Sequence, residues 1–252
     1  MEMMGRTASA LLVILAAANE ARAPTRLQVA LGEPLLGHLA HGLSDASVGE
    51  WAAYELRRRD GRASYWRLAA VAEETDERGR AAMWIEMEVG EQAELAAPLA
   101  QIRMLVAKRR GWGTDAITRL ILAVGTDRPQ EVPPHSLTAL RREPQIAQWS
   151  AAAERADGIE LHSGQESSVM TPAGTIRSTP IEILRAGAVI ERLWISPRVP
   201  LLHLAKLEVP ATGYAMMVAA FGKDAAPRIL LPSEPTKRIG VESIGRNADA
   251  GR

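Results

Sequence analysis

The sequence predicts a mainly β (α+β) chain: a curved antiparallel sheet or half-barrel with one or two helices packed on it. Three observations carry this. Apolar residues alternate with polar ones through most of Val48 to Val89. Asp60-Gly61 supplies the positive-φ pair of a tight hairpin between two of those runs. From Thr171 to Lys223 the chain reads as short runs rich in β-branched and aromatic residues, parted by turns that carry Gly or Pro.

Val48 to Arg58 puts Ala52, Tyr54 and Leu56 on one face and Trp51, Ala53 and Glu55 on the other. Arg62 to Glu73 alternates through Trp66, Leu68 and Ala70. Arg80 to Val89 sets Met83, Ile85, Met87 and Val89 against Trp84, Glu86 and Glu88. Together these make a meander with one buried face and one wetter face. On that reading Glu86 and Glu88 are solvated charge on an outer face. The competing reading, paired carboxylates for acid–base work, needs burial to move their pKa values apart.

Beyond the meander, Glu91–Ile102 is expected to be helical, while Leu99 to Lys108 also fits a strand. Arg110-Gly111-Trp112-Gly113 reads as a turn, and Ile117 to Gly125 is β-branched and strand-like. Thr126 to Gln148 carries Pro129, Pro133, Pro134 and Pro144 and reads mostly as loop, with a second helix over Pro144–Arg155. Ile159 to Met170 is expected as one strand. Pro180 interrupts the next, Thr175 to Leu184, which points to an edge or a bulge. Ala188 to Ser196, Leu201 to Val209 and Tyr214 to Phe221 complete the second half. Leu193 and Ile195 there lie opposite Arg192 and Trp194.

Four regions follow: residues 1–23 as a signal peptide, 24–47 as a linker, 48–223 as a single β-rich half-barrel domain, and 224–252 as a flexible C-terminal tail. The first rests on layout. A short charged start precedes the apolar run Ala8 to Ala18, and Ala21 and Ala23 follow in an A-x-A arrangement. The run is shorter than the roughly 20 apolar residues a spanning helix needs. Cleavage after Ala18, Ala21 or Ala23 stays open, since Pro24 follows Ala23 directly. The expected location is the periplasm, with no transmembrane segment in the mature chain.

Charge and composition narrow the function. The 30 basic and 30 acidic residues cancel, which argues against nucleic acid and anionic membrane as partners. With no Cys there is no disulfide, thiolate ligand or thiol nucleophile. Phe occurs once, so six Trp and nine Met fill much of the large-residue volume. Gly111 to Ala116 matches a loose G-x-G-x-x-A but lacks the strand-before, helix-after setting of a dinucleotide site. His38 and His41 stand as H-x-x-H without a third ligand nearby, so neither a metal nor a cofactor is expected. His162, beside Ser163 and near Glu160 and Glu166, reads as a solvated strand face.

What remains is apolar surface. The candidate groove-lining residues are Tyr54, Leu56, Trp66, Leu68, Met83, Ile85, Met87, Leu193 and Ile195. Met and aromatic side chains suit flexible apolar ligands, and they equally suit a core poor in Phe.

Several stretches carry a family likeness: the signal-like start, Val48-Gly49-Glu50-Trp51 opening a strand, and Trp84 in the third strand. Thr171-Pro172-Ala173-Gly174-Thr175 and Trp194 to Leu201 (WISPRVPL) add to it. From Val48 to Gly222 the chain resembles exported proteins of Gram-negative bacteria with the LolA/LolB-like half-barrel, the fold of periplasmic lipoprotein carriers. That resemblance implies a curved sheet wrapped around one or more helices, an apolar groove for acyl chains, and no catalytic residues. The chain departs from it in its low helical content, and a carrier's functional residues have no one-by-one match here. The expected function is therefore non-catalytic binding of a hydrophobic ligand, lipid or acyl chain. The alternatives are an envelope structural or protein-interaction module without a small-molecule ligand, and a hydrolase with a dispersed site around His162 or His203.

Overall fold

The computed structural model describes residues 46–108, 117–125, 128–135, 137 and 159–232. Its regular elements there are strands: β1 (Trp51–Arg57), β2 (Ala63–Thr75), β3 (Ala81–Gly90), β4 (Ala100–Ala107), β5 (Ile117–Val124), β6 (Gln130–Glu131), β7 (Ile159–Ser163), β8 (Ser167–Thr171), β9 (Gly174–Arg185), β10 (Ala188–Ile195), β11 (Leu204–Val209) and β12 (Tyr214–Gly222). One helical turn begins near Pro134, where the Leu137 N–H donates to the Pro133 carbonyl at 3.0 Å.

The strands form one antiparallel sheet in the order β6-β5-β4-β3-β2-β1-β12-β11-β10-β9-β7, with β8 paired to β9 off this path. Two meanders thus meet where β1 pairs with β12, Tyr54 opposite Val218 and Leu56 opposite Met216. Local chemistry sets the turns. Gly61 takes φ +83° between β1 and β2, and Arg58 N–H closes that hairpin onto Arg62 O at 3.0 Å. Asp76 accepts the Arg78 and Arg80 N–H groups at 3.0 and 2.8 Å between β2 and β3. The ladders slip at Ala53/Tyr54, Ala70/Ala72, Leu105/Val106, Val189/Glu191 and Trp194/Ile195. Each slip bends its strand and adds twist, so the sheet curves.

Four expectations need correction. The helix over Glu91–Ile102 does not form: residues 91–98 are turns, and β4 begins at Ala100. A segment this short and closed by Pro98 is a weak helix, and burial of Leu95 with φ +49° folds it as a β3–β4 connection instead. The helix over Pro144–Arg155 lies outside the described residues. Ile159 to Met170 is two strands, not one: β7 ends at Ser163, β8 begins at Ser167, and each pairs separately with β9, while a Cβ on Gly164 between them would lie 2.8 Å from Pro180 Cγ. Pro180 itself is inside the sheet, opposite Trp194 of β10, and it falls where β9 passes from β8 to β7. The missing N–H costs no ladder bond on that side, and its carbonyl accepts Gly164 N–H at 2.9 Å.

The last correction concerns the tail. Residues 224–229 are not loose but lie against the sheet: Ala225 N–H donates to Gly49 O at 2.8 Å, and Ile229 is buried. Residues 233–252 lie outside the described set.

Candidate functional site

The two faces of the sheet follow from strand register. Pairing of Leu68 with Ala52 and Met87, and of Ile85 with Ala70 and Met104, puts the large apolar side chains on one face. The residues expected to line a groove all belong to it. Tyr54, Leu56, Trp66, Leu68, Met83, Ile85 and Leu193 are buried in one cluster, and Met87 and Ile195 are half-buried against it. At about 25 cal/mol per Å², each fully buried Leu or Ile there contributes roughly 2 kcal/mol.

Among the described residues, the second half of the chain covers this face. The β8–β9 hairpin places Val169 and Ile176 in the same cluster, and Ala173 N–H donates to Val218 O at 3.3 Å. Val218 lies just past the β11–β12 pair Lys206–Met217, so its carbonyl is open to the hairpin. The 196–203 connection adds Val199, Leu201 and Leu202, with φ +67° at Leu201 and +51° at His203. Toward β4 and β5 the face is less covered. Met87, Met104, Ile117 and Leu122 are half-buried around Ala100, Ile102 and Leu120.

Polar atoms interrupt this apolar surface. Tyr54 and Trp66 are direct cross-strand partners. Tyr54 is fully buried and Trp66 is 7% exposed. The Tyr54 hydroxyl and the Trp66 Nε1 have no hydrogen-bond partner among the described residues. The same holds for the hydroxyls of Ser178 and Ser196, both buried. Burial pushes the Tyr54 phenol far up, so it stays protonated.

The opposite face carries charge, and the structure overturns its expected exposure. Glu86 is 0% and Glu88 2% exposed. Register explains why: Glu86 faces Arg103, and Glu88 faces Arg67 and Gln101. Arg103 sits 3.2 Å from Glu86, and Arg67 3.2 Å from Glu88. The 224–229 segment then lies across them. Arg228 and Ile229 N–H groups donate to the two Glu86 oxygens at 2.8 and 3.2 Å, and Arg103 donates to Ile229 O at 2.6 Å. Burial raises the Glu86 pKa, against the lowering effect of those N–H donors and of Arg103. Arg103 also stacks over Trp84, 4.9 Å from the ring centre, and Arg67 over Trp51 at 5.5 Å. Both carboxylates thereby hold the 224–229 segment as a strap against the sheet, Glu88 through the Arg228 side chain at 3.1 Å.

His162 is exposed, 3.7 Å from Glu160, and His203 Nδ1 meets Val199 O at 3.0 Å within its own turn. His38 and His41 lie outside the described residues. No helix among the described residues is long and apolar enough to cross a membrane.

No protein-family model matches the sequence, and no curated protein matches it. Among solved structures the chain is similar to an inferred exported protein with a YmcC-like fold from Bacteroides fragilis. That match has 10% identity and a TM-score of 0.33, over 71% of this chain and 97% of the other. MucB matches at 13% identity and a TM-score of 0.35, over 81% of this chain and 64% of MucB. An inferred lipoprotein from Parabacteroides distasonis matches at 10% and 0.32, over 70% and 96%. Overlap this low assigns neither a family nor a function.

Proposed function

We propose that this is a non-catalytic protein of the cell envelope that holds an apolar ligand, a lipid or an acyl chain, against the apolar face of its sheet. One observation carries the reading. The candidate residues from β1, β2, β3 and β10 converge on a single face, and its β3–β5 end keeps Met87, Met104, Ile117 and Leu122 half-covered. Flexible thioethers beside branched aliphatic side chains suit a guest of variable shape. The driving force is area burial, which asks for no catalytic group. The signal-like start favours the periplasm as the site of action, and the LolA/LolB-like resemblance favours carriage over storage.

Organic extraction of the chain purified from an envelope fraction, without detergent, tests this reading. It expects about one equivalent of lipid per chain; an extract free of lipid overturns it.

A second reading has its own observation. Leu161 and Met170 are 66% and 79% exposed on β7 and β8, the strands that flank one side of β9. Exposed apolar residues on such an edge suit pairing with a strand of an envelope protein. Cross-linking from position 161 or 170 in envelope extracts would capture that protein; clean chain without adducts would remove this reading.

A further inference from the structure

We infer that the ligand of the apolar face carries a neutral hydrogen-bond acceptor, and that the Tyr54 hydroxyl and Trp66 Nε1 are the donors that meet it. The ligand class is then an acyl ester or another carbonyl-bearing lipid, not a plain hydrocarbon. This inference rests on the apolar-ligand reading and makes it more specific.

The argument begins with cost. A buried donor left unpaired forfeits roughly 1–3 kcal/mol, which is why nearly all buried polar groups in folded proteins are bonded. Here two such donors are direct partners across the β1–β2 ladder, on the same face. Phe in place of Tyr54 would fill nearly the same volume without that cost. Trp Nε1 can only donate, and a phenol held neutral by burial donates readily. Both positions therefore ask for an acceptor.

Charge selects the kind of acceptor. Arg67, next to Trp66 on β2, and Arg103, two strands away on β4, turn to the opposite face and are committed to Glu88 and Glu86. No basic side chain of β2 or β4 is left on the apolar face to hold a carboxylate. A free carboxylate would also be costly to desolvate there. A carbonyl oxygen, with two lone pairs and no charge, matches two neutral donors.

The test uses the full chain stripped of lipid, with 1-N-phenylnaphthylamine as the fluorescent occupant of the apolar face. Methyl decanoate, labelled with ¹³C at its carbonyl, and undecane compete for it. The inference expects Tyr54→Phe to weaken competition by methyl decanoate about three- to tenfold, the worth of one neutral hydrogen bond. Undecane should compete equally with both chains. The infrared carbonyl band of the bound ester should lie lower with the wild-type chain than with Tyr54→Phe. Trp66→Phe, as a second variant, should act in the same direction. Since Tyr54→Phe removes an unpaired hydroxyl, its melting temperature should hold or rise. Unchanged ester competition and an unchanged carbonyl band, with the probe still displaced, overturn the inference and leave the apolar-ligand reading standing. A chain that never takes up the probe removes both. A lower melting temperature for Tyr54→Phe with intact ester binding shows a structural bond at that hydroxyl and also overturns the inference.

Discussion

Glu86 accepts the backbone N–H of Arg228 at 2.8 Å, a contact that spans 142 positions of sequence. It turns the outer face of the first meander into a second, smaller core. Ile229 fills that core beside Ala69, Val71, Ala82, Trp84, Leu105 and Ile121.

Removing the carboxylate should therefore do more than remove one bond. Glu86→Ala leaves Arg103 buried without its counter-charge and frees two strap N–H groups, at an expected cost of about 3–5 kcal/mol. Thermal unfolding should show the loss. Hydrogen exchange should rise at residues 225–229 before it rises in β2 and β3.

Ile229→Ala tests the apolar half of the same contact. Deleting the buried branches should cost about 2–3 kcal/mol, less than Glu86→Ala. Trp84 lies in the same cluster, so its fluorescence should shift toward that of an exposed indole.

Gly49 explains the Val48-Gly49-Glu50-Trp51 stretch. It takes φ +93°, and a Cβ there would lie 2.5 Å from Lys223 O. Its N–H donates to Ala70 O and its carbonyl accepts Ala225 N–H, both at 2.8 Å. Trp51 Nε1 donates to Asp224 at 2.7 Å. Gly49→Ala should destabilise by roughly 2 kcal/mol through backbone strain and loosen the strap. Gly61→Ala shares the positive φ but meets nothing within 4 Å, so calorimetry should show a smaller effect there.

Acid should reveal Asp76. Its hydrogen bond with Arg80 and the Arg78 and Arg80 N–H groups hold its carboxyl below the usual 3.8. A depressed native pKa means the unfolded chain binds the proton more readily. The contribution of Asp76 is thus present above the unfolded value and lost as pH falls through the native one. Asp76→Asn should lower stability at neutral pH and narrow its gap to wild type as pH falls below about 4. Urea melts across that range check it.

How far these features are visible in the sequence differs between the two faces. Alternation through Tyr54, Leu68 and Ile85 is a local signal, and it placed β1 to β3 and their apolar face. Glu86 and Glu88 misled because period-two patterning reads charge as water-facing, whereas their cover comes from Arg228 and Ile229 far downstream. A usable hint existed in the register: Arg67 and Arg103, in the flanking strands, stand opposite Glu88 and Glu86 with complementary charge. The Ala- and Glu-rich run after Gly90 suggested a helix through propensity alone, and tertiary burial of Leu95 decided otherwise. The unpaired donors of Tyr54 and Trp66 had no sequence signal, because both residues are ordinary core material by type.

Native mass spectrometry of the lipid-stripped chain after incubation with phospholipid vesicles tests the central claim most directly. The account predicts a one-to-one lipid adduct that Met87→Asp, at the half-covered end of the apolar face, strongly depletes. A spectrum showing only the bare chain, for wild type and variant alike, would contradict it.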